Sequence, residues 1–254
     1  MNVSLARPEG KVEVVKATVL DKDKMSKGLA VPILRDINFA LKKGDGLCIA
    51  GPIGSGKSVL IDMLIGHIVP DRGELRLDGS RLQQWDRDKL GQFVGFLPQN
   101  ARPMPGTIAQ NISRFARDEN LDAVIKVAQL CGIHERILGL PDGYNTEIDD
   151  RNVNQPAALV QMICLARAVY GGPSILILDE PAANLDHECE HALVRCIHQL
   201  RLQGVTVMVA THKRFIMQYL NKVLILNKGV QVSLEDNKEV AATLGNQAIE
   251  GVAA

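Results

Sequence analysis

Residues Gly51-Pro52-Ile53-Gly54-Ser55-Gly56-Lys57-Ser58 carry the spacing G-x-x-x-x-G-K-S. Glycines at those positions let successive backbone N–H groups turn into one concavity. A helix opening at Lys57 adds the partial positive charge of its N-terminus. The chemistry such a loop performs is the cradling of a phosphate chain. Lys57 reaches the β- and γ-phosphates of a nucleoside triphosphate, and the Ser58 hydroxyl is offered to Mg²⁺. ATP or a similar nucleotide, with Mg²⁺, is the expected cofactor. A second constellation is Ile175-Leu176-Ile177-Leu178-Asp179-Glu180, an apolar run ending in two adjacent acids. Alone it reads as an acidic strand-to-helix turn. Beside a phosphate loop, Asp179 is expected to hold Mg²⁺, directly or through water, and Glu180 to polarise an attacking water as general base.

These residues need strands and helices to position them. Gly46 to Ala50 is a short apolar strand running into the glycine loop, and Lys57 to His67 reads as the helix beyond it. In the last third, strand Ser174–Leu178 precedes helix Glu188–Leu202. Strand Val205–Ala210 precedes helix Lys213–Leu220, and strand Val223–Leu226 leads to Lys228-Gly229. Apolar strands alternating with amphipathic helices predict a parallel sheet with crossovers. The opening of the chain is β-rich. Lys11 to Val19 alternates, Leu20 to Ala30 reads as a hairpin loop, and Ile33–Leu41 and Leu75–Leu77 read as further strands. Phe93 to Leu97 is strand-like and stops at Pro98. Thr107 to about Leu140 has a helical pattern, residues 141–157 are loop-like, and helix returns from about Ala158 to Tyr170.

Composition narrows the functional classes. The chain has 254 residues, 46% of them hydrophobic, enough for a large α/β core. Lys plus Arg equals Asp plus Glu at 29 each, so the formal charge is zero and offers no electrostatic case for nucleic acid. Cys48, Cys131, Cys164, Cys189 and Cys196 form no CxxC pair and sit mostly in apolar contexts, as buried free thiols of a reducing compartment do. Residues 1–11 lack the apolar stretch of a signal peptide. No run of about 18 apolar residues is present, so no direct membrane span is expected. A link to a membrane would come through a partner.

The order of motifs is more specific than any one of them. The phosphate loop, Leu97-Pro98-Gln99, Leu178-Asp179-Glu180-Pro181, Asn184-Leu185-Asp186 and Ala210-Thr211-His212 together resemble the nucleotide-binding domain of ABC transporters, over roughly Gly10 to Gly229. The resemblance implies an α/β P-loop NTPase of ABC type, with a parallel-sheet core, an antiparallel β subdomain and a helical subdomain. Residues 1–254 would form a single ABC ATPase domain. Its parts would be a β-rich lobe with the phosphate loop (10–95), a helical subdomain (99–172), a continuation of the core (173–230) and a C-terminal tail (231–254). By the same resemblance Gln99 contacts Mg²⁺ or water and couples to a membrane domain. Asp186 faces a partner ATPase domain, and His212 contacts the γ-phosphate. The stretches Gly106–Phe115, Gly132–Tyr144 and Leu165–Pro173 resemble exporter ATPases of bacterial type I secretion, most of all the protease and lipase class. Ala6–Gly10 resembles the linker that follows the membrane helices of those proteins. The chain therefore reads as their ATPase domain without its transmembrane half, as a separate subunit, a split gene or a fragment. It is expected in the cytoplasm, held at the inner face of the plasma membrane by a transmembrane permease domain.

Departures from the pattern sharpen the reading. The family signature is usually Leu-Ser-Gly-Gly-Gln, and the matching positions here are Gln155-Pro156-Ala157-Ala158-Leu159. In the family the serine hydroxyl and glycine amides bind the γ-phosphate held by the opposite subunit. Pro156 has neither hydroxyl nor N–H, though proline is comfortable in a helix's first turn. Val59 stands where threonine is common, no aromatic residue lies between Lys16 and Met25 to stack on adenine, and Asp149 and Asn152 replace glycines. The expectation is pairing with a second ABC ATPase subunit of intact signature, in a heterodimer whose competent site lies on this chain's own phosphate loop. Two readings stand beside it: a weakly hydrolytic or regulatory ABC module in a heterodimer, and a soluble non-transport ABC ATPase.

Overall fold

The computed structural model describes residues 6–22, 30–118, 120–149 and 155–237. Their centre is a sheet in which five strands run parallel: β3 (Gly46–Ala50), β6 (Val94–Leu97), β9 (Ile175–Asp179), β10 (Thr206–Ala210) and β11 (Lys222–Asn227), in the order β11-β3-β10-β9-β6. Beyond β11 the sheet continues into β12 (Val230–Asp236), β2 (Pro32–Leu41), β1 (Val12–Leu20), β4 (Arg72–Leu77) and β5 (Ser80–Arg81). The β1–β2, β1–β4 and β4–β5 pairings are antiparallel, which is the expected β-rich opening, while β2 meets β12 in parallel.

Successive side chains of a strand point to opposite faces, and the sheet uses both faces to divide two cores. Leu47, Ile49, Ile175, Ile177, Met208 and Ala210 face one cluster, shared with Leu60, Ile61 and Met63 of helix α1 (Lys57–Leu64). Cys48, Leu176, Leu178, Val207 and Val209 face the other. That second cluster is filled by α6 (Ala157–Val169) and α7 (His187–Leu202). All five cysteines are buried free thiols.

The helical span Thr107–Leu140 is broken into Ile108–Ile112, Leu121–Leu130 and His134–Leu138. Capping supplies the breaks. Thr107 and Gln110 form a reciprocal capping box, and the Asn120 side chain caps Ala123 N–H at 3.0 Å. Arg114 and Phe115 take left-handed φ of 58° and 55° after the first helix. The helix Lys213–Leu220 shortens to Arg214–Met217. Strand β12 lies where a tail was expected. Its Val232 and Leu234 alternate but are exposed, so the alternation marks no buried face. The reading of Gly245–Ala254 as frayed falls outside the described residues.

Candidate nucleotide site

Strand register brings the motifs to one edge. Ala210 pairs with Ile49 on one side and Asp179 on the other, and Leu97 pairs with Leu178. The phosphate loop, Asp179-Glu180, Thr211-His212 and Gln99 therefore leave the carboxyl ends of adjacent parallel strands. Ligands of open α/β sheets bind at that edge.

The loop is held open from below. Gly229 N–H donates to the Ser55 carbonyl at 3.0 Å. A Cβ on Gly51 would lie 2.2 Å from the Leu226 carbonyl oxygen, so only glycine fits that crossing. Above Gly54 a Cβ would meet nothing within 4 Å, and Ile53 is fully exposed. Lys57 Nζ donates to the carbonyls of Gly51 and Pro52 at 2.7 and 3.0 Å. Helix α1 has Gly56 as its N-cap, with no side-chain cap and no acid in its first turn. Its first N–H groups thus face the loop without a carboxylate competing for them, the condition an anion needs. Ser58 is exposed beside them, while Val59 packs against the core. Ser55 is 1% exposed and its Oγ has no partner among the described residues. A basic, backbone-lined cradle of this kind fits a phosphate chain, and the Ser58 hydroxyl and Asp179 carboxylate are oxygen groups of the type that Mg²⁺ takes.

Glu180 ends the acidic strand in a left-handed conformation, φ 45°. Its N–H is bound by the Ala210 carbonyl at 2.8 Å. Non-glycine residues rarely hold that conformation, and it is sustained here by the carboxylate's partners. Thr211 Oγ1 donates to Oε2 at 3.4 Å, and His212 Nδ1 lies 3.1 Å from Oε1. Thr211 is buried and also accepts from Lys213 N–H at 3.1 Å. It is a site residue that the motif order contained but did not single out. Asp179 is half-buried. Burial and then the neighbouring Glu180 raise its pKa, against the pull of Lys57. A cation in the site would relieve both penalties.

Other predicted positions surround this centre. Gln99 is exposed two residues beyond β6. Pro156 is the N-cap of α6 (φ −55°, ψ 134°) rather than its first helical residue, and the helix starts without a side-chain cap. Pro156 and Ala157 are exposed, whereas Ala158 and Leu159 are 6% and 3% exposed. Gln161, a further residue the motifs did not flag, donates to the Pro181 carbonyl at 3.4 Å and ties α6 to the turn after Glu180. Asn152 and part of the Lys16–Met25 stretch lie outside the described residues.

Asp186 is the N-cap of α7. Its carboxylate accepts from Cys189 N–H at 2.8 Å and from Arg136 at 2.9 Å. These bonds, the backbone one first, hold its pKa down at about 2. A carboxylate depressed in the fold stabilises it above the unfolded carboxylate pKa, and that stability fades as pH falls toward the folded value. Asp186→Ala should therefore cost about 1 kcal/mol at neutral pH, the usual worth of an N-cap. The gap to wild type in urea unfolding should close between pH about 4 and about 2. A gap unchanged at low pH would remove the carboxylate from the cap.

A family model described as ABC transporter matches residues 34–183. The chain is 42% identical over 197 residues to the type I secretion system ATP-binding protein PrsD of Rhizobium meliloti, covering 78% of this chain and 34% of that protein. It is 31% identical over 238 residues to the toxin RTX-I translocation ATP-binding protein of Actinobacillus pleuropneumoniae, covering 94% of this chain and 33% of that protein. It thus spans about a third of the length of these curated relatives. The solved structure of a bacterial Atm1-family ABC exporter with ATP bound superposes with a TM-score of 0.83 at 23% identity, covering 97% of this chain and 43% of that one, a likeness of fold. Among the described residues no helix is long and apolar enough to cross a membrane. Because the family model matches more than half of this chain, and the motifs gather at one edge of one sheet, this chain belongs to the ABC transporter family.

Proposed function

We propose that this chain binds and hydrolyses ATP to energise an ABC exporter of the type I protein or peptide secretion class, acting at the cytoplasmic face of the membrane through a transmembrane permease domain. The observation that carries hydrolysis is the Glu180 carboxylate, fixed by Thr211 and His212 beside the phosphate loop. Gly51 to Val59 and Asp179 bind the nucleotide. Ser58, Gln99 and Asp179 would hold Mg²⁺, which when bound would supply charge neutralisation on the phosphate oxygens. Glu180 takes the proton of the attacking water, and His212 orients that carboxylate and donates toward the terminal phosphate.

The second part of the proposal is asymmetry. Pro156 and Ala157 are the exposed start of α6, where the family presents a serine hydroxyl and a glycine amide. A homodimer would lack the hydroxyl and the N–H that Pro156 removes at both sites. A heterodimer with an intact partner signature would have one complete site, on this chain's phosphate loop. The same exposed proline supports the alternative of a nucleotide-holding, weakly hydrolytic module.

The test is ATP turnover of the purified chain, alone and titrated with an ABC ATPase domain that bears Leu-Ser-Gly-Gly-Gln but whose own general-base glutamate is replaced by glutamine. Turnover that rises with the partner and saturates at equal amounts is the expected result. Robust turnover by the chain alone would overturn the heterodimer requirement. Nucleotide binding without turnover in either sample would favour the holding module.

A further inference from the structure

Helix α7 opens with His187 and carries His191 one turn later. Residues four apart share a helix face. Here both rings are exposed and converge, with Nε2 of His187 3.2 Å from Nε2 of His191 and the ring centroids 4.4 Å apart at 70°. None of the motifs used above needs either residue.

We infer that His187 and His191 form a two-imidazole binding site for a late first-row divalent metal such as Cu²⁺, Ni²⁺ or Zn²⁺. The spacing carries the inference. Two nitrogens at about 2.0–2.1 Å from one metal lie about 3.3 Å apart in tetrahedral geometry and about 2.9 Å apart at a right angle. The observed 3.2 Å falls between them, so the pair can close on a metal without a change of backbone.

The outer ring nitrogen agrees. His187 Nδ1 faces the Glu190 carboxylate at 3.9 Å. At that distance the carboxylate makes no hydrogen bond, but its charge favours the Nδ1–H tautomer, which leaves Nε2 with its lone pair. Without metal, His191 Nε2–H then donates to His187 Nε2. Binding requires that His191 carry its proton on Nδ1, so that both Nε2 lone pairs face the metal.

The surrounding charge also suits a cation. Asp186, Glu188 and Glu190 lie in or next to the first turn, against Arg136 on Asp186 and Arg195 one turn further on. Among the described residues no third His, Cys, Asp or Glu completes the set, so the remaining coordination positions fall to water or to a partner. Imidazole ligands select against Mg²⁺ and Ca²⁺, which separates this site from the phosphate loop.

The test is isothermal titration of the untagged full chain with NiCl₂ in nucleotide-free buffer, alongside retention on an immobilised Ni²⁺ column. One Ni²⁺ per chain is expected, with Cu²⁺ binding more tightly. His187→Gln and His191→Gln should each weaken Ni²⁺ at least tenfold, because either one removes the chelate. His67→Gln should leave it unchanged, since His67 lies away from the pair, with its Nδ1 3.5 Å from Asp62. Both rings of the pair are at the surface, so circular dichroism should show both variants folded. Wild-type affinity in either helix variant, loss of binding in His67→Gln, or no binding at millimolar Ni²⁺ would each overturn the site.

Discussion

Glu180→Gln is expected to lower ATP turnover at this chain's phosphate loop by about 10²–10⁴-fold, the usual worth of a positioned general base. Nucleotide binding should remain. Glutamine keeps an oxygen for Thr211 Oγ1 or His212 Nδ1 and the same reach, so the packing around the left-handed residue survives. What it loses is the charge that draws a proton from water. Removing that charge also takes away one cause of the raised Asp179 pKa, so the aspartate ionises more readily. Lys57 and the uncapped start of α1 are untouched. Binding and turnover should therefore separate. Phosphate release measured with the partner domain present should collapse, while titration with a fluorescent nucleotide analogue should match wild type. A fall in both would mean that Glu180 shapes the cradle; a fall in neither would move the base elsewhere.

The motifs of this candidate site were legible because their spacing is local. Gly51 to Ser58 must be contiguous to wrap phosphates, and the apolar run before Asp179 announces a strand buried on both faces. The sequence does not contain the register that sets Ala210 beside Asp179 and Ile49, since each strand's neighbour is chosen by the whole packed sheet. Thr211 and Gln161 were missed for the same reason. Each acts through one hydrogen bond across a long sequence separation, to Glu180 Oε2 and to the Pro181 carbonyl. The helical breaks near Ser113 and Cys131 escaped because caps, not hydrophobic period, decide them. Strand β12 escaped because Val232 and Leu234 face outward and its stability comes from pairing with β11 across the Lys228-Gly229 turn.

The degenerate signature makes the other large prediction. Pro156→Ser with Ala157→Gly and Ala158→Gly should raise ATP turnover of the chain alone, acting as a homodimer. Two recovered charge-assisted bonds at about 1.5–3 kcal/mol each correspond to about 10²–10⁴-fold if expressed in the transition state. Val59 remains, so a hydroxyl near the α-phosphate is still missing and nucleotide affinity should rise less than turnover. Against the gain stand two Ala→Gly changes in the first turn of α6, at up to about 1 kcal/mol each. Serine at the N-cap offsets about 1 kcal/mol of that. Pro156 has extended ψ, 134°, which serine adopts without strain. The fold should therefore lose about 1 kcal/mol or less, well inside the margin of a domain this size. Leu159 must be kept. It is 3% exposed in the core cluster with Met162 and Ile163, and glutamine there would forfeit about 2 kcal/mol of burial and strand an amide. If the triple variant stays inactive alone yet is stimulated by the intact partner, the defect of the homodimer lies outside Pro156–Ala158. If it becomes active alone and Glu180→Gln abolishes that activity, those three residues are what commit the natural chain to a second, different ATPase.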